Sequence, residues 1–191
     1  MCDGALAGPA LLDLCKVVLA KGSTEQQNAL VRIVTNSLQC EWATDAATNT
    51  QRVEPLACPN CADTSCSLGH LAECAGPQAT LFRADLRHDL LAVLHSAPQT
   101  DSWCHQFGML DLRAMLLRLF PIASSAPADE QHKHFTRLLC GAFTTRHANL
   151  AAKALGFPSA DDGRSTLQRI RLTCLDRVAQ VFRGLKQAAA P

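Results

Sequence analysis

The sequence predicts an all-α protein, a helical bundle, and three observations carry that prediction. Apolar residues recur at steps of three and four along most of the 191 residues, the period of helices that bury one face. The apolar residues are mainly Leu, Val, Ile and Ala, with seven Phe, two Trp and no Tyr, and Leu and Ala are strong helix formers. Strict alternation of useful length, internal repeats and a Gly-rich phosphate loop are all missing from the sequence.

The elements follow in order. A short apolar helix is expected over about 9–20, with Pro9 at a suitable first position and Lys21-Gly22 at its end. Ser23-Thr24-Glu25-Gln26 fits a capping box for a second helix carrying Leu30, Ile33, Val34 and Leu38. Residues 40–57 lose helical periodicity and read as a loop. After Gly76-Pro77 a helix should present Phe82, Leu86, Leu90 and Val93 on one face. Asp101-Ser102 can cap a further region with Met109, Leu112, Leu116 and Leu119 as its stripe, stopped by Pro121. Beyond a linker at 122–130, one helix is expected over about 129–155 and another over about 164–187. The last carries Leu167, Ile170, Cys174, Val178, Val181 and Leu185. This divides the chain into 1–121, the linker, and a C-terminal helical pair within 131–191.

Charge changes sign at the same linker. Residues 1–130 hold eight basic and fourteen acidic residues, net −6; residues 131–191 hold ten basic and three acidic, net +7. Only the C-terminal third favours a polyanion. No apolar run approaches the roughly 18–20 residues of a membrane-spanning helix, so no membrane partner is expected. Asp3 and Asp13 interrupt the apolar N-terminal stretch, which argues against a secretory signal. The expected setting is a reducing intracellular compartment, nucleus or cytoplasm rather than an organelle. There, ten cysteines are thiols or metal ligands more readily than disulfides. Those in apolar surroundings, such as Cys15 and Cys140, read as small core residues.

The remaining cysteines concentrate in LACPNCADTSCSLGHLAEC, residues 56–74. Cys58 and Cys61 have the spacing of a metal-gripping turn. His70 and Cys74 are four apart, on one face of a helix. The pattern Cys-x2-Cys-x8-His-x3-Cys supplies three thiolates and an imidazole, a donor set suited to Zn²⁺ in a closed tetrahedron. Four protein ligands leave no open position, so the zinc is read as structural: a small Cys-Cys-His-Cys zinc knuckle within the bundle. Cys66 is the spare donor and could replace one ligand.

The segment ALVRIVTNSLQCEWAT, the CPNC turn and GHLAEC together resemble the zinc-binding region downstream of the polymerase in non-LTR retrotransposon reverse transcriptases. Arg32, Thr35, Leu38, Cys58, Pro59, Cys61, His70, Leu71 and Cys74 fall on that pattern, over roughly residues 29–90. The rest of such a protein has no counterpart here. A polymerase Phe/Tyr-x-Asp-Asp motif is missing. Arg87-His88-Asp89 is similar to the start of an associated nuclease, but no Pro-Asp plus Asp/Glu-x-Lys core follows. The resemblance implies a detached accessory module that grips RNA or target DNA.

Arg164, Arg169, Arg171, Arg177, Arg183 and Lys186 on the last helix are candidate phosphate contacts, with Arg137, Arg146 and Lys153 able to extend the patch. Around a helical wheel they spread over much of the circumference, and only Arg169 and Arg183 lie squarely opposite the apolar stripe. His132, His134 and His147 lack a nearby acidic or Cys partner in sequence and read as exposed helix residues. Asp161-Asp162-Gly163 reads as a turn and helix start. No pairing for nucleophilic catalysis stands out, so no catalytic residue is assigned. The expected function is a non-catalytic, zinc-stabilised module binding RNA or an RNA–DNA intermediate. The alternative is a protein-interaction subunit of a larger protein or ribonucleoprotein assembly, with zinc as scaffold only.

Overall fold

A computed structural model describes residues 8–34, 40–45, 50–55, 58, 61, 68–97 and 101–189. Among the described residues run nine helices and two strands: α1 (Pro9–Lys21), α2 (Thr24–Val34), β1 (Cys40–Asp45), β2 (Thr50–Pro55), α3 (Leu68–Glu73), α4 (Pro77–His95), α5 (Asp101–Gly108), α6 (Leu112–Leu119), α7 (Ala128–Leu139), α8 (Thr145–Leu155) and α9 (Ala160–Ala189). The helical class is as expected. None of the described helices is long and apolar enough to cross a membrane.

Local chemistry sets the helix ends. Pro9 opens α1, and Leu14 and Val18, one turn apart, are its buried residues. The capping box of α2 forms as the sequence predicts. The Gln26 backbone N–H donates to Ser23 Oγ at 3.3 Å, and the Ser23 N–H donates to Gln26 Oε1 at 2.8 Å. Pro77 opens α4, whose buried face is Ala79, Phe82, Leu86, Leu90, Val93 and Leu94.

Three expectations change. Residues 40–57, read as a loop, contain two antiparallel strands, β1 and β2, with Cys40 opposite Pro55 and Asp45 opposite Thr50. Six-residue strands carrying Trp, Val and Thr are too short to declare themselves by alternation. The region after Asp101 is two helices rather than one, because Asp111 accepts a hydrogen bond from Ala114 N–H and caps α6 afresh. Met109, assigned to the apolar stripe, lies in the break and is 81% exposed. The single helix expected over 129–155 is broken at Cys140–Thr144 into α7 and α8.

Gly141 explains that last break. Its φ is +75°, and a Cβ built there would lie 2.5 Å from the Arg171 carbonyl oxygen. The chain turns in a left-handed conformation directly against the backbone of α9, which only glycine tolerates. Arg171, 5% exposed, holds the same turn from the other side. Its Nε donates to Gly141 O at 3.1 Å, Nη1 to Asp13 O at 3.2 Å and Nη2 to Phe143 O, with Cζ 4.2 Å from the Phe143 ring centre. One guanidinium thus ties α1, the α7–α8 turn and α9 together.

The 30-residue α9 is the spine of the fold. It packs along α4 and α2 and also meets α8, α7 and α1. A single cluster of buried residues runs from Leu14 through Leu86, Met115 and Phe135 to Val178. The boundary at 122–130 is therefore one of charge and not of packing: residues on both sides share one core. Cys140 and Cys174 are fully covered members of it, and Cys15 is half-buried at its edge. Burial pushes the Cys140 thiol up to about 12 and drives Cys174 up as well, so neither is a reactive thiolate.

Asp13 on α1 accepts from both the backbone N–H and Oγ1 of Thr145, each at 2.8 Å, and so holds the first turn of α8. Partial burial raises its carboxyl pKa, but the Thr145 bonds, Lys16 and Arg171 outweigh this and hold it below the usual value.

Two outcomes follow. Gly156, at φ +64° with open space around its missing side chain, is the control for Gly141. Gly156→Ala should cost about 1 kcal/mol of left-handed strain, and Gly141→Ala at least twice that, read from urea unfolding midpoints. Because its folded pKa is lowered, Asp13 contributes stability above the unfolded value of about 3.9 and loses it as pH falls through the folded value. The wild-type chain should therefore lose more stability between about pH 5 and 2 than Asp13→Asn does in the same titration.

Candidate metal centre

The four predicted donors converge. The ligand atoms of Cys58, Cys61, His70 and Cys74 all lie within 4.8 Å of one another, a grouping that can hold one metal ion. Cys58 Sγ and Cys74 Sγ are 3.9 Å apart, and Cys61 Sγ is 3.1 Å from His70 Nε2. Cys58 and Cys74 are buried at 7% and 5% exposure. Cys61 and His70 are half-buried, so the centre has an inner edge in the core and an outer edge toward water. Cys66, the spare donor of the sequence, lies outside the described residues, as do Pro59 and Asn60.

The arrangement is built from local structure. Cys58 and Cys61 follow β2 in the chain. His70 sits in α3, and Cys74 follows its last residue. The Cys74 N–H still donates to His70 O at 2.7 Å, so the helical path continues and both side chains share a face. Leu68 and Leu71, at 3% and 2% exposure, anchor this short helix in the core, where it packs on α7. Six residues of helix are not stable alone, so α3 depends on those contacts.

A second layer fixes the donors. Gly76 N–H donates to Cys74 Sγ at 3.3 Å and fixes where that sulfur points. Arg83 of α4 reaches back to the carbonyl end of α3, donating from Nη1 to Leu71 O and from Nη2 to Cys74 O, both at 2.8 Å. These carbonyls have no partner within their own helix, and a cation there also complements the helix dipole. On the other side, His132 Nδ1 of α7 lies 2.9 Å from Glu73 Oε1. That contact is off the line of a hydrogen bond, since Nδ1 otherwise finds no partner, and so its attraction is Coulombic when the imidazole is protonated. Neither Arg83 nor His132 is among the partners of the knuckle expected from sequence; the signal that could have found Arg83 is its place in the second turn of the helix that follows Cys74.

The other histidines depart from expectation. His134, read as exposed, is 6% exposed, with Nε2 2.7 Å from Phe120 O. Its ring lies 5.5 Å from that of His147, edge to face. Burial, followed by the proximity of His134 and Arg146, lowers the His147 pKa. A helical position alone could not reveal that α7 turns His134 toward the core. Among the described residues, the only group of donors close enough to hold a metal is the Cys58 cluster.

The basic residues of α9 divide sharply. Arg171 is a buried tie and unavailable to a ligand. Arg164 pairs with Asp161, and Arg183 lies 3.6 Å from Glu25. Arg177 donates to Asp89 at 2.5 Å and lies 3.4 Å from Asp85; the Asp89 bond raises its pKa despite partial burial. Arg169 is exposed. The side chain of Lys186 lies outside the described residues. The structure brings the four metal donors together but, among the described residues, does not gather the α9 cations into one open patch.

No protein-family model, no curated protein and no solved structure matches this chain.

Metal analysis of the purified chain should find one ion per molecule. Cys58→Ser and Cys74→Ser, which remove the two buried sulfurs, should each cut retained metal at least tenfold. Cys15→Ala should retain it in full. Equal metal content in all three variants would refute a site at these four residues.

Proposed function

We propose that the centre binds Zn²⁺ as a structural ion and that the protein is a non-catalytic nucleic-acid-binding module, taking RNA or an RNA–DNA intermediate. The observation that carries the reading is the closed donor set in the order Cys-x2-Cys-x8-His-x3-Cys, with all four ligand atoms within 4.8 Å. A zinc tetrahedron with Zn–S near 2.3 Å has sulfur–sulfur edges of about 3.8 Å, close to the 3.9 Å between Cys58 and Cys74. Cys61 and His70, at 3.1 Å, would open by about half an ångström around such an ion. With four protein ligands, such an ion has no vacant position for water or substrate, so its binding energy supports folding.

The nucleic-acid part rests on the net +7 of residues 131–191 and on the resemblance of the knuckle to the region after the reverse-transcriptase polymerase. A second reading, a protein-interaction subunit with a purely structural zinc, draws on exposed apolar side chains. Leu12 and Leu19, two turns apart on α1, are 61% and 68% exposed.

The two readings separate by salt dependence. Binding of single-stranded RNA to the zinc-loaded chain, followed by fluorescence anisotropy, should weaken with a log–log slope of about −2 or steeper, at about 0.7 per phosphate neutralised. Lack of RNA binding together with a stable complex with a protein partner would favour the second reading.

A further inference from the structure

We propose that the cleft between α4, α6 and α7, beside the metal centre, is a phosphate site built from Arg83, Arg87 and Arg113. The phosphate would be that of a nucleic-acid backbone, a clause that rests on the reading above. The cleft has a volume of about 320 Å³, and its lining includes these three arginines with one carboxylate, Asp111. That is the low end of the ~300–1,000 Å³ range of small-ligand sites, room for a phosphate and its attached sugar.

The charge here is not neutralised within the fold. Among the described residues, Arg83, Arg87 and Arg113 form no ion pair with a carboxylate, in contrast to Arg164, Arg177 and Arg183 on α9. Asp111 is committed through Oδ1 to the Ala114 N–H at 2.7 Å. Three positive charges against one negative leave the lining at net +2.

The guanidiniums are also held in place. Arg83 is fixed by the Leu71 and Cys74 carbonyls, each at 2.8 Å. Arg87 donates from Nε to Leu110 O at 2.7 Å and from Nη2 to Gly108 O at 2.5 Å. Arg113 lies over the Phe135 ring with Cζ 5.1 Å from its centre. Each arginine has five N–H donors. Arg87 therefore keeps Nη1 free, and Arg113 keeps its whole fork. Donors ordered before the ligand arrives lose little entropy on binding it, and planar forks match phosphate oxygens. Phe135 is only 2% exposed, so the cleft offers no open ring for a base to stack on. The contact is with backbone phosphate and independent of sequence.

The test uses the zinc-loaded full chain with two probes, inorganic pyrophosphate and single-stranded RNA, in calorimetry and anisotropy. Arg113→Gln is the informative variant because its guanidinium makes only the ring contact. Arg118→Gln, an exposed cation on the same helix whose one bond is a 3.4 Å contact to Gln106, is the control. Arg113→Gln should weaken both probes five- to tenfold and reduce the RNA salt slope by about 0.7. Arg118→Gln should change either by less than twofold. Pyrophosphate binding that depends on Arg113, without RNA binding, would keep the site and refute the nucleic-acid reading. RNA binding equally affected by the two variants would refute the site and leave that reading intact. Failure of the wild-type chain to bind either probe would overturn the site.

Discussion

Three sulfurs and an imidazole nitrogen held within 4.8 Å form the constraint on which the centre of this molecule depends. Such a cluster is not held by its own attractions. Thiolates brought this close repel one another, and a cation among them adds attractions that outweigh the repulsion. The surrounding fold nevertheless brings them close. Arg83 fixes the carbonyl end of α3, Gly76 donates to Cys74 Sγ, and Leu68 and Leu71 are seated in the core. Donors held in this way lose less freedom on taking up an ion.

The knuckle is coupled to the rest of the bundle through helices on both sides of the charge boundary. Arg83 belongs to α4, the main partner of α9. His132, beside Glu73, belongs to α7. Arg171 then ties α9 to α1 and to the turn around Gly141. The acidic first part and the basic last third are thus packed as one body, and part of their opposite charge is spent internally. Arg177 with Asp85 and Asp89, and Arg183 with Glu25, pair across that divide. This is why a net charge of +7 in residues 131–191 does not translate into an equally charged surface.

Much of the architecture was legible because its causes are local. The capping box at Ser23, the proline starts of α1 and α4, and the buried stripe of α4 each depend on residues within a turn or two of one another. The elements misread had causes elsewhere. The α7–α8 break is set by the approach of the Arg171 backbone to Gly141, thirty residues away in the chain. His134 faces the core because Phe120 O meets it there. The two strands within 40–57 are short enough that composition, with its Thr, Asn and Ala, looks like a loop.

By itself the sequence determined the helical class, most helix ends and the four metal donors. Those features rest on residue type and short spacing: i and i+4 on a helix, two residues in a turn, a cap one turn away. Tertiary structure alone decided which charges remain open to a ligand. Of the α9 cations that dominate the sequence, Arg164, Arg177 and Arg183 are matched by acids from α2, α4 or their own first turn, whereas Arg87 and Arg113, not candidates for phosphate contact in the sequence, face one cleft with Arg83. Charge is written into the chain residue by residue, but its neutralisation depends on which distant carboxylates the packing brings within about 4 Å.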